Sequence, residues 1–425
     1  MRVLVVSNLY PPDVMGGYEL GCRQAVDALI ARGHEVRVLT TIPRKPAPGV
    51  PHVRRTLRLT DIWDSYQFRH AAPVSAHLGQ HESHRINAAN VHALLAEIDE
   101  FRPDVAYPWM LAGVGGLGLM AAIQHKGIPW CWHLMDDVPK LLCMAAGRLV
   151  PSLARSLGRD LAGRFLACSR QLVDEVEAAG IRLPGPVEVV PNWVEHVDGP
   201  VRQSYLQDGI LRICTAAGRL ERKADKGIDL LIEAAALMRS VGRENFVVDI
   251  FGPPIDGDFE AMIRALDLTR HVRLMGPRLQ AELSTLYADY DLFAFPTRPR
   301  EPFGFAPLEA AAAGCVPVAT QACGLSEWLV HGVHLLKAPR TTAAFASTFV
   351  DVMTSRIDIA SIGRRVAKVV RRDFSLDAIL PRIESALSAA ADEGIRPRGS
   401  SADAYRLAML AEKLTRVMVP ASLSA

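Results

Sequence analysis

The stretch RVLVVSNLYPPDVMGGYELGCRQAVDALIARGHEVRVLTT, residues 2–41, contains one strand–loop–helix–strand unit. Its first residues form a β-branched run typical of a buried strand, and the proline and glycine residues of YPPDVMGG indicate a loop. In the next segment Ala25, Leu29 and Ile30 share one face of a predicted helix that ends at Gly33. The run HEVRVLTT is the next predicted strand. The unit therefore predicts neighbouring strands of a parallel sheet with a helix packed on one face.

The same alternation of strands and helices repeats along both halves of the chain. It is interrupted in residues 187–209, where proline, glycine and polar residues break the pattern. We therefore predict an α/β protein with two Rossmann-like, doubly wound parallel-sheet domains that face each other across a cleft. The predicted N-terminal domain covers residues 1–195 and the C-terminal domain covers residues 196–389. Ligands of such sheets bind beyond the carboxyl ends of the strands.

Residues 390–425 follow a different pattern. The segment 390–402 contains glycine, proline and serine and is predicted to be a flexible linker. After it, an amphipathic helix is predicted, because one apolar stripe is formed by Leu407, Leu410, Leu414 and Val417. That stripe requires a partner, which is either the body of the protein or a second copy in a homodimer.

The composition of the 425-residue chain is that of a globular enzyme, with 49% hydrophobic and 22% charged residues. The net charge is +2 and no long basic run occurs, which argues against nucleic acid as a partner. The seven cysteines form no C-x-x-C pair, so we expect buried thiols in a reducing cytoplasm. No apolar run is long enough to predict a membrane span or a signal peptide.

The stretch TRPREPFGFAPLEAAAAGCVPVAT, residues 297–320, places two carboxylates around a tight turn. Glu301 precedes the turn, Gly304 allows backbone amides to approach a ligand closely, and a helix is predicted from about Ala306. Glu309 lies about one turn inside that helix and can point back towards the loop. Because ionised carboxylates only accept hydrogen bonds, hydroxyl groups are the natural partners of both glutamates.

A second stretch, AAGRLERKADKGIDLL, places two cations before a helix. A predicted strand leads to Arg219, and Lys226 comes just before the helix that begins near Gly227. Backbone N–H groups, the helix dipole and both charges favour a phosphate group there. Two cations for a diphosphate and two carboxylates for hydroxyl groups together indicate a nucleotide sugar.

With these motifs, residues 1–389 resemble the retaining glycosyltransferases of family 4, which have the two-domain GT-B fold. The most specific match is the E-x7-E pattern from Glu301 to Glu309 with its P-F-G turn. YPPDVMGGYE, GRL…KG, VVPNWVE and LYADYDLFAFPT support it. The resemblance implies roles for ten residues. The expected catalytic residues are His133, beside the transferred sugar, and Glu301; the expected donor-binding residues are Gly16, Gly17, Arg219, Lys226, Phe303, Gly304, Phe305 and Glu309.

The resemblance also implies the reaction. A hexosyltransferase of this family moves a sugar from a UDP- or GDP-sugar to an acceptor hydroxyl with retention of anomeric configuration, in glycan biosynthesis. No metal and no other cofactor is expected, because Arg219, Lys226 and the helix N-termini stabilise the leaving diphosphate. The acceptor is expected to be a sugar, a lipid-linked glycan or a small molecule.

Two other functions are consistent with parts of the sequence. Gly113, Gly115 and Gly118 form a G-x-G-x-x-G pattern after a strand, with Asp136 eighteen residues further on, as in an NAD-dependent oxidoreductase. The same glycines would also serve close packing of a helix on a sheet, which we favour. A non-catalytic protein that binds a sugar nucleotide is the other alternative.

Further polar clusters have competing interpretations. His77, His81 and His84 have helical spacing that would allow metal binding, but a solvated or acceptor-facing helix is the favoured interpretation. The aromatic residues Trp63, Tyr66 and Phe68 fall in a region expected to shape the acceptor site. Basic residues between 139 and 166 indicate either an amphipathic helix pair, which we favour, or peripheral contact with the inner membrane face.

Overall fold

The computed structural model divides the chain into two units. It describes residues 1–44, 46, 48–60, 81–145, 148–195, 198–220, 226–254, 258–297 and 301–394. The first unit contains Met1–Ala167, Gln171–Val190 and the chain from Leu380 onward. The second unit contains Cys168–Arg170 and Pro191–Ile379. Apart from the short segment Cys168–Arg170, the chain crosses to the second unit at residue 191 and returns to the first at residue 380.

Parallel strands form the sheets of the first unit. They are β1 (Arg2–Val6), β2 (Glu35–Thr41), β3 (Val53–Leu57), β4 (Val105–Pro108), β5 (Cys131–Leu134), β8 (Arg164–Ala167) and β9 (Val187–Val189). A separate small antiparallel hairpin is formed by β6 (Met144–Ala145) and β7 (Arg148–Leu149). The orders are β3-β2-β1-β4 and β5-β8-β9, and a bridge between Ala106 and Trp130 connects the two sets. Strands β1 to β3 are therefore added towards one edge of the sheet and the later strands towards the other. The position between β1 and β4, where this order changes, is the reversal point of the sheet.

Helices connect these strands. They are Gly17–Ala31, Ala88–Phe101, Gly116–His125, Val138–Leu142, Pro151–Asp160 and Arg170–Ala178, with a π-helical turn at His81–Arg85. The first helix buries Cys22, Ala25, Val26 and Leu29, whereas Ile30 is 37% exposed. Placing Ile30 on the apolar face was wrong, because it lies about 100° beyond Leu29 around the helix and outside the buried stripe.

The second unit contains one six-stranded parallel sheet. Its strands are β10 (Leu211–Ala216), β11 (Phe246–Phe251), β12 (Val272–Gly276), β13 (Leu292–Phe295), β14 (Val316–Thr320) and β15 (Leu336–Ala338). Their order is β12-β11-β10-β13-β14-β15. This is the order of a doubly wound nucleotide-binding fold, and it reverses between β10 and β13. Loops that follow these two strands diverge to opposite faces and leave a crevice at that point.

The helices of the second unit agree with the alternation predicted from the sequence. They are Ile228–Ser240, Phe259–Ala265, Gln280–Leu286, Phe305–Ala312, Leu325–Trp328, Thr342–Met353 and Ile359–Asp373, with 3-10 turns at Gln207–Gly209 and Tyr287–Asp289. The next helix, Leu376–Glu393, begins in this unit and ends in the first.

Two predicted irregular segments contain regular structure. The interrupted region 187–209 begins with the short strand β9, which its flanking prolines conceal in the sequence. The linker predicted from residue 390 begins inside the helix that ends at Glu393, so its first four residues are helical. Residues 395–402 of that linker and the predicted amphipathic helix lie outside the described residues.

All seven cysteines are buried free thiols, as predicted. In the part of the chain that the structure describes, no helix combines the length and the apolar character needed to cross a bilayer.

Candidate active site

Two loops meet at the reversal point of the second sheet. One follows β10 and places Lys226 just before the helix Ile228–Ser240; the other follows β13 and places Glu301 just before the helix Phe305–Ala312. The Lys226 ammonium donates a short hydrogen bond to the Glu301 carboxylate, so this ion pair joins the loops. The side chains of Lys226 and Glu301 are 38% and 16% exposed. A ligand in the crevice can therefore reach both charges.

Backbone contacts hold the Glu301 loop in place. The Glu301 N–H donates to the Ala322 carbonyl at 3.2 Å, and the Gly324 N–H donates to the Glu301 carbonyl at 2.9 Å. A Cβ at Gly324 would lie 1.8 Å from the Pro302 carbonyl oxygen, so only glycine permits this approach. Gly304 has φ +98° and a Cβ there would lie 2.8 Å from the Phe295 ring. The carboxylate is thus carried by a backbone segment, Glu301 to Gly304, that these contacts hold in place.

The Lys226 loop is equally constrained by Gly227. Its φ is +64°, and a Cβ there would lie 1.9 Å from the Pro296 carbonyl oxygen. Gly242 has a similar φ of +74° but open space around the same position. We expect Gly242→Ala to destabilise the protein by about 1–2 kcal/mol through backbone strain alone. Gly227→Ala should cost at least about 2 kcal/mol more, because the clash adds to the strain.

Urea unfolding of both alanine variants beside the wild type measures this difference. Equal losses of stability in the two variants would show that the β10 and β13 loops do not contact each other closely.

Positive potential at the reversal point has three sources. The helices Ile228–Ser240 and Phe305–Ala312 start there, and the N–H groups of a first helical turn lack intrahelical partners. Lys226 supplies a full charge, and its ammonium lies 5.7 Å from the centre of the Phe295 ring. Arg219 follows β10 and is partly exposed. These groups favour binding of an anion at the reversal point.

Glu309 lies deeper than the sequence indicates. Its side chain is buried, and it accepts a short hydrogen bond from the Gln280 amide nitrogen. Burial raises the pKa of Glu309 to about 7; the Gln280 hydrogen bond opposes this rise, and the charge of Glu195 adds to it. A shallow pocket lies beside the carboxylate, with Gln280, Ser284 and Arg371 in its wall. No sequence signal identified Gln280.

The two phenylalanines of the turn occupy different environments. Phe303 is 1% exposed, so its ring belongs to the core, and any contact with a donor would come from its backbone. Its carbonyl accepts a hydrogen bond from the Cys323 thiol at 2.9 Å. Phe305 is partly exposed, and its ring packs edge-on against Trp193 at 6.3 Å between centroids.

In the first unit, the Gly16–Gly17 loop follows β1 at the reversal point of its own sheet. The Glu19 carboxylate accepts hydrogen bonds from the Gly16 N–H at 2.9 Å and the Met15 N–H at 3.2 Å. Burial raises the pKa of Glu19. Gly16 is extended, with φ −175°, and a Cβ there would meet nothing within 4 Å. The fold itself therefore does not require glycine at position 16.

Glu19 was missed in the sequence, although its spacing offered a signal. An acidic side chain three residues after the residue that precedes a helix is the second half of a capping box. Here it closes the loop onto the first turn of the helix Gly17–Ala31.

His133 lies in β5, one residue before its end, inside an aromatic cluster. Its ring is fully buried, with Nδ1 2.7 Å from the Tyr107 hydroxyl and its centroid 4.4 Å from that of Trp109. Its carbonyl accepts a hydrogen bond from the Tyr18 hydroxyl at 2.9 Å. Burial lowers the pKa of His133 to about 3, so the imidazole is neutral at physiological pH. Any chemistry of this side chain uses the neutral form.

The depressed pKa of His133 makes stability depend on pH. The folded protein keeps the ring neutral, whereas the unfolded chain protonates it below a pKa of about 6.5. This contribution is complete above pH 6.5 and is lost as pH falls towards 3, at up to about 1.4 kcal/mol per pH unit. Between pH 7 and 5, His133→Gln should therefore lose roughly 2 kcal/mol less unfolding free energy than the wild type.

Urea unfolding at pH 7 and pH 5 tests the His133 expectation. The exposed His92 provides the matched control, His92→Gln. If His133→Gln and the wild type lose the same unfolding free energy between these pH values, the neutral buried state of His133 is refuted.

Other motifs from the sequence serve packing. A Cβ at Gly115 would lie 2.3 Å from the Asn87 nitrogen, and one at Gly118 would lie 2.7 Å from the Ile86 side chain. The G-x-G-x-x-G pattern thus brings a helix start against the segment at residues 86–87. His84 is buried, so a solvated position was wrong for this residue, whereas an acceptor-facing position stays a prediction. His77 and the side chain of His81 lie outside the described residues, as do Trp63, Tyr66 and Phe68.

Comparison with known protein families identifies two matches. Residues 16–193 match the family described as Glycosyl transferase 4-like domain. Residues 212–355 match the family described as Glycosyl transferases group 1. Together these matches cover most of both units.

Individual relatives extend over almost the whole chain. Glycogen synthase of Mycobacterium tuberculosis is 27% identical over 399 residues, covering 89% of this chain and 91% of that protein. Phosphatidyl-myo-inositol mannosyltransferase of Mycolicibacterium smegmatis is 26% identical over 413 residues, covering 95% of this chain and 97% of that protein.

Solved structures show the same fold. Sucrose-phosphate synthase from Thermosynechococcus elongatus superposes with a TM-score of 0.66 at 17% identity, covering 90% of this chain and 97% of that one. Anabaena HepE in complex with UDP and glucose also superposes with a TM-score of 0.66, at 18% identity, covering 92% of this chain and 100% of that one.

Proposed function

Because the chain belongs to the family 4 glycosyltransferases, has their GT-B fold and transfers a sugar from a nucleotide sugar, we propose that the donor is a UDP- or GDP-sugar. We propose further that the acceptor is a hydroxyl group. The transfer proceeds with retention of anomeric configuration and without a metal ion. The family and the fold class predicted from the sequence are confirmed. The oxidoreductase alternative was wrong, and its glycines have the packing role described above.

The observation that carries this proposal is the Lys226–Glu301 ion pair at the reversal point of the second sheet. It places a cation and a carboxylate at one position, where helix N-termini also favour an anion. We assign the diphosphate to Arg219 and Lys226, the donor sugar to Glu301 and the ribose hydroxyls to Glu309. Within their own unit, Gly16, Gly17 and the neutral His133 are assigned to the sugar and the acceptor.

The proposed chemistry follows the movement of charge. The bond between the anomeric carbon and the phosphate oxygen breaks, and its electron pair leaves with the diphosphate. The acceptor oxygen forms the new bond on the same face, and its proton passes to the departing phosphate oxygen. Lys226, Arg219 and the helix N-termini stabilise the leaving group, and Glu301 stabilises the positive charge on the sugar. No enzyme nucleophile is required.

Metal independence is the first test. A thermal-shift screen of UDP- and GDP-sugars identifies the donor, and transfer is then measured with and without excess EDTA. Activity should persist with EDTA, because Lys226 and Arg219 already neutralise the diphosphate. Loss of activity that magnesium or manganese restores would refute this charge assignment.

The stereochemistry of the product is the second test. Proton NMR of the anomeric position, recorded early in the reaction, should show the same configuration as the donor. An inverted product would exclude same-face attack.

A further inference from the structure

We infer that Gln280 is a positioning residue that orients the Glu309 carboxylate for the nucleotide ribose, an inference that rests on the proposed function. The Gln280 amide nitrogen donates to one carboxylate oxygen of Glu309. This hydrogen bond leaves the other oxygen to accept from a hydroxyl group. Gln280 belongs to none of the motifs that carry the family resemblance.

The position of Gln280 is set by the start of its helix. It is the first residue of Gln280–Leu286, and the Glu282 carboxylate accepts a hydrogen bond from the Leu279 N–H at 2.7 Å. This capping contact anchors the first turn. Ser284, one turn later in the same pocket wall, donates instead to the Ala281 carbonyl at 2.8 Å. Gln280 is therefore the residue of this helix that reaches Glu309.

The other polar groups around Glu309 do not replace Gln280. Burial and the nearby Glu309 charge raise the pKa of Tyr287, and its buried hydroxyl forms no hydrogen bond with the carboxylate. Arg371 extends from the helix Ile359–Asp373 into the same pocket wall, but it donates to the carbonyls of Ala312 at 2.8 Å and Gly199 at 2.7 Å. Glu195, from the segment before β10, carries a like charge that opposes ionisation of Glu309. Among the described residues, Gln280 is thus the side chain that donates a hydrogen bond to Glu309.

The effect of Gln280 on the pKa of Glu309 is consistent with the positioning role. Burial raises the pKa of Glu309 to about 7, and the Gln280 hydrogen bond limits that rise. Without Gln280, the pKa should rise further, and more of the carboxyl group would be protonated near neutral pH. A protonated carboxyl group accepts hydroxyl hydrogen bonds less well, so affinity for the nucleotide should fall as pH falls.

Calorimetry with UDP and GDP tests this inference in the full-length protein. The variants are Gln280→Met, Glu309→Gln and the double variant. Gln203→Met is the matched control, because Gln203 is exposed in the same unit and its amide donates to the Val201 carbonyl. The 2′,3′-dideoxy form of the nucleotide that binds best serves as the second probe.

Gln280→Met should weaken binding of the ribonucleotide at least about tenfold, as expected for loss of a hydrogen bond to a charged group. It should change binding of the dideoxy nucleotide less than about twofold, and should add nothing in the Glu309→Gln background. The loss of affinity on acidification should begin at a higher pH in Gln280→Met than in the wild type. A purely structural role of Gln280 would not produce that pH shift.

The possible results distinguish failure of the Gln280 role from failure of the proposed function. If Glu309→Gln weakens binding but Gln280→Met does not, or if Gln280→Met weakens both nucleotides equally, the role of Gln280 is overturned and the proposed function stands. If neither UDP nor GDP binds the wild type, the proposed function and this inference both fail.

Discussion

Glu301→Gln should lower kcat roughly a hundredfold or more, with a smaller change in the donor KM, as for other losses of transition-state electrostatics. The substitution keeps the shape of the side chain and removes its charge. Bond cleavage gives the sugar ring positive charge, so a carboxylate beside it stabilises the transition state more than the ground state. The backbone contacts at Glu301, Gly304 and Gly324 should preserve this geometry during the reaction.

Glu309→Gln should change the donor KM more than kcat, which is the reverse of the expectation for Glu301→Gln. The ribose does not change during the reaction, so its contact contributes uniform binding, and its loss should mainly raise the donor KM. Steady-state kinetics of both variants with the identified donor measures the difference. The control is Glu260→Gln, on an exposed position of the same unit. Equal kcat losses with unchanged KM in both variants would refute the division of roles, and wild-type kinetics in both would refute the site.

Lys226→Ala should weaken binding of the nucleoside diphosphate at least tenfold, because a charge-assisted contact contributes roughly 1.5–3 kcal/mol. Arg219→Ala should have an effect of the same order. Lys226 is paired with Glu301 in the structure, so we expect the diphosphate to compete with that carboxylate for the ammonium group. Removing Lys226 therefore removes both the phosphate contact and the ion pair.

Two further measurements show whether the Lys226 and Arg219 variants lose contacts to the phosphates in particular. Calorimetry with the unphosphorylated nucleoside should give nearly equal affinities for the wild type and both variants, because the lost contacts belong to the phosphates. Raising the salt concentration should weaken diphosphate binding more in the wild type than in the variants, since salt screens exposed charges. Unchanged diphosphate affinity in both variants would place the phosphate site elsewhere.

The ion pair between Lys226 and Glu301 keeps two opposite charges close together in the site. Glu301 is largely shielded from solvent, and a carboxylate in that position is stabilised by a neighbouring cation. We expect the donor diphosphate to take the place of Glu301 as the anionic partner of Lys226. Glu301 would then face the sugar, where positive charge develops in the proposed reaction.

Local patterns in the sequence determined the secondary structure and the type of chemistry. The alternation of apolar strands with helices predicted parallel sheets, because each element must bury one face, and the strands predicted between LRICTAAG and DLFAFPT are all present. The Glu301–Glu309 spacing and the cations before Gly227 indicated a nucleotide sugar, because each functional group has a narrow choice of partners. The first helix shows the limit of such patterns, since Ile30 is exposed despite its apolar side chain.

Only the tertiary structure decided which side chains meet. Lys226 and Glu301 are 75 residues apart in the sequence, and they form an ion pair because the sheet order places β13 beside β10. Gln280 contacts Glu309 by the same kind of long-range placement, and the neutral state of His133 depends on burial among Tyr107 and Trp109. Periodicity reports only what lies within a few residues along the chain, whereas pairing partners and burial depend on how the strands are ordered in space.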